Sequence, residues 1–549
     1  MVNIMSRVCL IILSSHGHHI FVFRYFVKSS SLFQKLLRTK DIETLQAEAK
    51  HGGGLKKALG VIDLLGIGIG AIIGAGIFIL TGQAAAQYAG PGIVISFIVA
   101  AIVSGLAGLC YAEFASMIPV AGSAYTYSYA TLGEAFAWFI GWDLIIEYAI
   151  GASAVAVGWS SYVVSFLHQV GLNVPPEFSA PPGTQFVFLS NKLIGQMGIL
   201  ASEGWYQLGF YIERLQQVGI SPDTLPRTTA IFNLPASLVV LFVTIILVKG
   251  IRESAIFNTA IVIVKLAVIL AVIIVGIRFI QTDNWVPFIP PNTGKYGQFG
   301  WSGVIRGAGV VFFAYVGFDA VSTAAQEAKE PQKHMPIGIL GSLSLCAVLY
   351  ILFALVLTGV VNYSRLNVAN PVALAVDATG IRWLAVFVKL GAIAGLTSVI
   401  LVLLMGQARI FFSMAHDGLL PAFFSKAHPR FGTPANTSMV TGLAVGILAS
   451  LLSVDILAEL VSIGTLAAFI MVCAGVLVLR YKHPDMPRPF RVPWVPFVPV
   501  LGLVSCLLLA LSLPWEAWLR LLSWLVLGFS IYCFYGIKHS HQPERQKEQ

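Results

Sequence analysis

Gly66-Ile-Gly-Ile-Gly-Ala-Ile-Ile-Gly-Ala-Gly-Ile-Phe-Ile-Leu-Thr-Gly82 carries six glycines in seventeen residues, yet nearly all its other residues are apolar enough for a bilayer. Glycine costs roughly 1 kcal/mol against alanine inside a helix, so such a cluster argues for a membrane segment broken in its middle. Irregular backbone survives at membrane depth only where it is buried in protein or lines a cavity. Gly74-Ala75-Gly76 is therefore read as a substrate-binding break, with the remaining chain arranged around it.

Composition agrees with a membrane setting. Of the 549 residues 57% are hydrophobic and 11% charged, against about 25% charged in a soluble domain. The net charge of +9 would suit nucleic acid, but most of the 34 Lys and Arg lie in the termini and one set of alternate loops. That pattern reports topology, places both termini in the cytoplasm and leaves no expectation of a nucleic-acid partner. Cys9, Cys110, Cys346, Cys473, Cys506 and Cys533 show no paired spacing for zinc or redox chemistry. His334, His416, His428 and His483 are scattered over inner loops. With no nucleophile constellation, phosphate loop, metal-ligand set or cofactor motif, neither an enzyme nor a cofactor is expected.

A helix needs about 20 apolar residues to cross the hydrocarbon core. On that ruler the chain is an all-α polytopic membrane protein with about twelve spans, near 61–82, 91–118, 133–168, 233–249, 254–279, 301–326, 336–361, 383–412, 437–453, 457–479, 494–513 and 517–537. Residues 1–57 read as a cytoplasmic, partly disordered segment, 58–537 as the membrane domain, and 538–549 as a cytoplasmic tail. The apolar patch Val8 to Leu13 is too short for a span or a good signal peptide. The long outer loop, 171–229, reads as a solvated loop with one short surface helix inside the amphipathic stretch Trp205 to Leu215.

Val310-Val-Phe-Phe-Ala-Tyr-Val-Gly-Phe-Asp-Ala320 places glycine and an acid inside the sixth span. If five spans form a repeat, their odd number inverts the second copy, and spans one and six correspond. Two interrupted helices at corresponding positions point to a binding site at the midplane; the competing reading is close helix packing through small residues. Half-helix amino-terminal ends suit a carboxylate, and freed carbonyls suit an ammonium. An α-amino acid carries both groups. N–H groups of Ala75 and Gly76 would then face its carboxylate, and carbonyls near Ile72 and from Phe313 to Val316 its ammonium.

Lys265 lies deep in Ile261-Val-Ile-Val-Lys-Leu-Ala-Val-Ile-Leu270, where a lysine costs a few kcal/mol. It is a candidate to lose and regain a proton during transport, the alternative being a purely structural lysine. Lys389 is closer to a helix end and is expected to snorkel. Of the intramembrane acids, Glu113 and Asp143 are read as anchors, while Glu147 and Asp319 stand between anchoring and the site.

Several of these stretches resemble the amino acid/polyamine/organocation transporters, closest to the cationic amino acid transporter family and its bacterial proton-coupled relatives. They are Gly68 to Gly82, Tyr111-Ala-Glu-Phe with Pro119-Val-Ala-Gly-Ser-Ala-Tyr-Thr-Tyr127, Gly141-Trp-Asp-Leu-Ile-Ile-Glu-Tyr148, Phe312 to Asp319, Glu327-Ala-Lys-Glu-Pro331, and Gly406-Gln-Ala-Arg with His416-Asp-Gly-Leu-Leu-Pro421. The resemblance covers about residues 50–535 and implies a leucine-transporter-like fold. Two inverted five-helix repeats, about 61–280 and 301–480, would be followed by two further helices in 494–537. It implies that Gly74, Ala75 and Gly76 bind carboxylate, with Ala75 lacking a hydroxyl often present there. It implies that Phe313, Ala314 and Val316 face the ammonium, and that Lys265 takes a position sodium fills elsewhere. Thr397 and Ser398 would line that ion site.

The expected function is a proton-coupled amino acid importer of the plasma or bacterial inner membrane, with an amino acid, a proton and membrane lipid as its partners and no protein partner identified. An exchanger or facilitator of cationic amino acids or polyamines, and an amino acid receptor, stay open.

Overall fold

The computed structural model describes residues 36–42, 45, 59–120, 122–197, 203–249, 251–368, 370–426, 428 and 433–540. Most of the expected amino-terminal segment and all of the tail after residue 540 lie outside the described residues.

The described chain is mostly helical. Span one is filled by α1 (Val61–Ile72) and, after an interruption, α2 (76–89), which mixes π and α turns. There follow α3 (Ile93–Met117), α4 (Ser123–Thr131), α5 (Glu134–Gln169), α6 (Leu234–Lys249) and α7 (Ile251–Gly276). Next come α8 (Gly300–Val311), α9 (Pro331–Val360), α10 (Arg382–His416), α11 (Ala435–Leu451), α12 (Val454–Lys482), α13 (Phe497–Ser512) and α14 (Trp515–Ile531). Eight stretches among the described residues are long and apolar enough to cross a membrane; α6, α11 and α13 are apolar but shorter. The first stretch, Val61–Met117, runs 57 residues. At about 1.5 Å per residue it far exceeds one crossing of a core about 30 Å thick.

The apolar faces explain the arrangement. On α6, Leu238, Leu241, Phe242 and Ile245 are about half exposed, and their three- and four-residue spacing puts them on one stripe. Water would not tolerate such a band on many helices at once; lipid does. Trp301, Trp383, Trp494 and Trp515 stand exposed at or beside helix starts, as in the aromatic belts of membrane interfaces. Inside, α9 packs along α3 and α1, α5 along α10, and α6 along α11. Glycines set the closest approaches: a Cβ on Gly68 would fall 2.3 Å from Ser342 Oγ of α9, and one on Gly391 would fall 2.1 Å from Val268 Cγ2 of α7.

The connection between α5 and α6 differs from the solvated loop with one helix expected for it. β1 (Gln185–Leu189) lies at the centre of an antiparallel sheet, flanked by β2 (Gly204–Gln207) and β3 (Arg227–Thr229). Val187, Leu189, Leu193, Ile194, Leu208 and Leu215 form its own small core. The stretch Trp205 to Leu215 begins in β2 and becomes α-helical only at Ile212. Strands of three to five residues, without clear alternation, leave little periodicity for a reader of sequence. Thr228 Oγ1 donates to Glu177 at 2.7 Å and holds that carboxyl below its usual range.

Candidate functional site

Two interruptions meet at the centre of the bundle. At Ile73 the backbone leaves the helical region (ψ 98°), and helical geometry resumes at Ala75. After α8 the chain tightens into a 3-10 turn, Phe312–Tyr315, opens at Val316 (ψ 136°) and passes through Gly317 at φ +114° before the short helix Ala320–Thr323. The left-handed φ at Gly317 favours glycine over any side chain with a Cβ.

The breaks interlock through reciprocal glycines. A Cβ on Gly76 would sit 2.3 Å from Ala314 Cα, and a Cβ on Gly317 would sit 2.8 Å from Ala71 Cβ. Each glycine thus admits the backbone of the other break. Ile72, Ala75, Phe313, Ala314 and Val316 are all buried around this contact, and Gly74 lies against Val399 of α10.

The carbonyls released at the end of α1 have side-chain donors. Lys265 Nζ on α7, fully buried, donates to Gly70 O at 2.7 Å, Ile73 O at 3.1 Å and Ser398 Oγ at 3.1 Å. Ser398 in turn donates to Gly395 O at 2.8 Å, so a lone pair of its hydroxyl is left to accept from the lysine. An ammonium has three donors and no acceptor, and three acceptors surround it here. A positive group also complements the carbonyl end of a helix. Tyr350 of α9 donates to Ile72 O at 2.7 Å, so the carbonyl expected to face an ammonium already has one protein donor.

Thr397 points elsewhere: it accepts from Trp159 Nε1 at 2.9 Å and donates to Ile393 O. Of the two residues expected beside Lys265, Ser398 alone bonds it. Lys389 does not snorkel; its ammonium is buried, 3.0 Å from Gln169 Oε1 and 3.7 Å from Asp377 Oδ2.

The acids divide. Glu113 is an anchor, accepting from Arg480 at 2.7 and 3.0 Å and from Val492 N at 2.7 Å, with Arg488 Nε at 3.3 Å. Asp319 accepts from Gly317 N at 3.2 Å and from the Tyr148 hydroxyl, tying the second break to α5. Glu147 lies beside Asp319 and Thr465, and its carboxyl, like that of Asp143, is buried.

Two motif stretches quoted above acquire a physical role. Arg409 on α10 pairs with Glu327 at 2.5 Å, both buried, and Leu59 bridges to the same loop, donating to Glu327 O at 2.9 Å and accepting from Lys329 N at 3.0 Å. Lys40 and Tyr125 both reach Asp417, at 3.0 and 2.7 Å. The start of α1 and the chain beyond the second break are therefore fastened together at one end of the bundle. Tyr350 is not singled out by the sequence, and Tyr148 and Arg409 stand there only inside quoted stretches without a role of their own, because a tyrosine in an apolar helix reads as core and an arginine near a helix end as surface.

Comparison with known proteins places the chain among permeases. A family model described as amino acid permease matches residues 59–528. The chain is 44% identical over 511 residues to the methylthioribose transporter of Bacillus subtilis, covering 93% of this chain and 99% of that protein. It is 43% identical over 506 residues to the branched-chain amino acid permease BcaP of Bacillus subtilis, covering 92% and 98%. To the vacuolar cationic amino acid transporter 4 of Arabidopsis thaliana it is 37% identical over 451 residues, covering 82% and 68%. These matches bear out the resemblance read from the motifs.

Proposed function

We propose that this chain, which belongs to the amino acid permease family of membrane transporters and is not an enzyme, is a proton-coupled importer of neutral amino acids that works by alternating access. The observation that carries the reading is the position of Lys265, whose ammonium saturates two carbonyls freed at the first break and the Ser398 hydroxyl. A neutral amine has only two N–H donors and one lone pair, so with the proton gone one of those three contacts is lost or the Ser398 hydroxyl leaves Gly395 O and turns to donate to the amine. The proton state of Lys265 thereby bears on the geometry of the break that binds substrate.

In this reading the chain crosses the membrane twelve times, α1 with α2 forming the first crossing and α3 and α5 to α14 the other eleven; the first ten form two inverted repeats, with both termini in the cytoplasm of a plasma or bacterial inner membrane. The amides opening α2, at Ala75 and Gly76, hold the carboxylate, since the first N–H groups of a helix have no intrahelical acceptor. The carbonyls of Phe313, Ala314 and Val316 take the ammonium. Apolar walls at Ile72, Phe313 and Val316 favour an aliphatic side chain, in keeping with the named substrate of the branched-chain permease.

A second reading follows from the methylthioribose transporter: a neutral thioether sugar, for which charge-binding backbone ends have no use. Purified protein in liposomes, offered alanine, leucine, arginine, putrescine and methylthioribose, separates these. Uptake of alanine or leucine should rise with an inward acid gradient and ignore sodium. Strict sodium dependence overturns the coupling, and uptake of methylthioribose alone overturns the substrate class.

A further inference from the structure

One helical turn beyond the contact of Gly76 with Ala314, on the side away from the Arg409–Glu327 pair, lies a cavity of about 210 Å³. Its walls come from α2, α8, α12 and the chain after α13, through Leu80, Gln83, Val310, Glu459, Ser462 and Leu513. Leu80 follows Gly76 by four residues and Val310 precedes Ala314 by four, so both stand in line with the central contact. The cavity reaches solvent at Gln87.

Its chemistry is unevenly distributed. Gln83 is buried, and its Nε2 donates to Val368 O at 3.3 Å, which fixes the amide and leaves Oε1 without a donor. Ser462 is also buried, with its hydroxyl unpartnered. Glu459 supplies a carboxylate whose Oε2 is engaged by Arg520 at 3.1 Å. Buried polar atoms are ordinarily satisfied, so two unpaired ones in the wall of one cavity, beside a carboxylate, point to an absent donor. Leu80, Val310 and Leu513 give the same cavity an apolar wall.

We infer that this cavity is a second, outer amino acid site, which takes the ammonium of an aliphatic α-amino acid on Gln83 Oε1, Ser462 Oγ and Glu459 before the substrate passes to the breaks. The three N–H donors of an ammonium match these three acceptors. The aliphatic side chain lies on the apolar wall, and the carboxylate faces the hydrated mouth near Gln87. The inference rests on the amino acid reading given above.

Initial rates of leucine uptake into intact cells lacking their own leucine carriers test it, with Ser462→Leu filling the cavity and Glu459→Gln removing the charge. Surface amount and monodisperse elution of the purified variants are measured alongside. Both variants should raise the KM for outside leucine by about fivefold or more, equivalent to about 1 kcal/mol, with Vmax changed by less than about twofold. If Ser462→Leu fails to fold, Glu459→Gln decides alone. A folded variant with unchanged KM, or with a loss confined to Vmax, overturns the outer site. Failure of the amino acid reading shows separately, as the absence of saturable amino acid uptake by the unaltered protein.

Discussion

The two breaks in the core solve one problem in opposite ways. At the end of α1 the freed carbonyls of Gly70, Ile72 and Ile73 are capped from outside, by Lys265 of α7 and Tyr350 of α9, with Ser398 of α10 behind the lysine. At the second break the chain caps itself more locally: Val316 N donates to Phe313 O at 3.2 Å, and Gly317 N to Asp319 at 3.2 Å. Its outside ties are the Tyr148 hydroxyl, the Tyr315 hydroxyl donating to Phe97 O of α3 at 3.0 Å, Ser322 donating to Ser123 of α4 at 2.8 Å and, further along, Arg409. At the first break side chains of three other helices cap the freed carbonyls, whereas at the second the chain's own amides and Asp319 take a larger share. Under the proposed coupling, the first break is the one whose caps include a charge supplied by a neighbouring helix.

The sharpest way to break that contrast is Lys265→Ala. Truncating a long buried side chain costs about 2–5 kcal/mol, and each stranded carbonyl adds about 1–3 kcal/mol. The expected outcome is uptake that no longer responds to an inward acid gradient, with a marked loss of thermal stability. Lys265→Met restores most of the volume without the charge, and should recover folding but not the response to the gradient. Gradient-driven uptake by the methionine variant removes Lys265 from the coupling and makes it a structural cap.

Arg409→Ala acts on the other break. It leaves Glu327 as an unpaired buried carboxylate, a change worth about 3–5 kcal/mol in comparable pairs. Unfolding of the purified protein by heat or denaturant should show this, and Arg409→Met with Glu327→Gln should recover part of it because no bare charge remains. The acid-gradient response should persist in the double variant. If it vanishes there as it does at Lys265, the two breaks are coupled alike and the asymmetry fails.

The difference between the breaks also decides what was legible in sequence. Gly74, Gly76 and Gly317 announce themselves because a glycine cluster in an apolar helix has a local cost, and Lys265 because its charge does. Side chains that complete the site from afar carry no such signature. Tyr350 lies 278 residues from the carbonyl it caps, and nothing in its own segment sets it apart from the core aromatics Tyr315 and Phe97 beside it. Thr397 and Ser398 are adjacent hydroxyls that point in different directions around α10; one residue of helical rotation separates bonding Lys265 from bonding Trp159. The small sheet between α5 and α6 was illegible for another reason, since its pairings join short strands across connections that carry no alternation.

The finest test of the contrast uses hydroxyls. Tyr350→Phe removes only the donor to Ile72 O and leaves the ring, with its contacts to Phe97 and Tyr315, in place. A buried hydrogen bond of this kind contributes about 0.5–1.5 kcal/mol. Tyr148→Phe removes the donor to Asp319 at the other break, where Gly317 N still holds the carboxylate. If the first break is the one that neighbours control, Tyr350→Phe should alter the KM for leucine, because Ile72 lies in the wall of the proposed site. Tyr148→Phe should lower stability by a similar small amount with KM nearly unchanged. The reverse pattern would transfer control to the second break, with α5 rather than α9 as the helix that reads it.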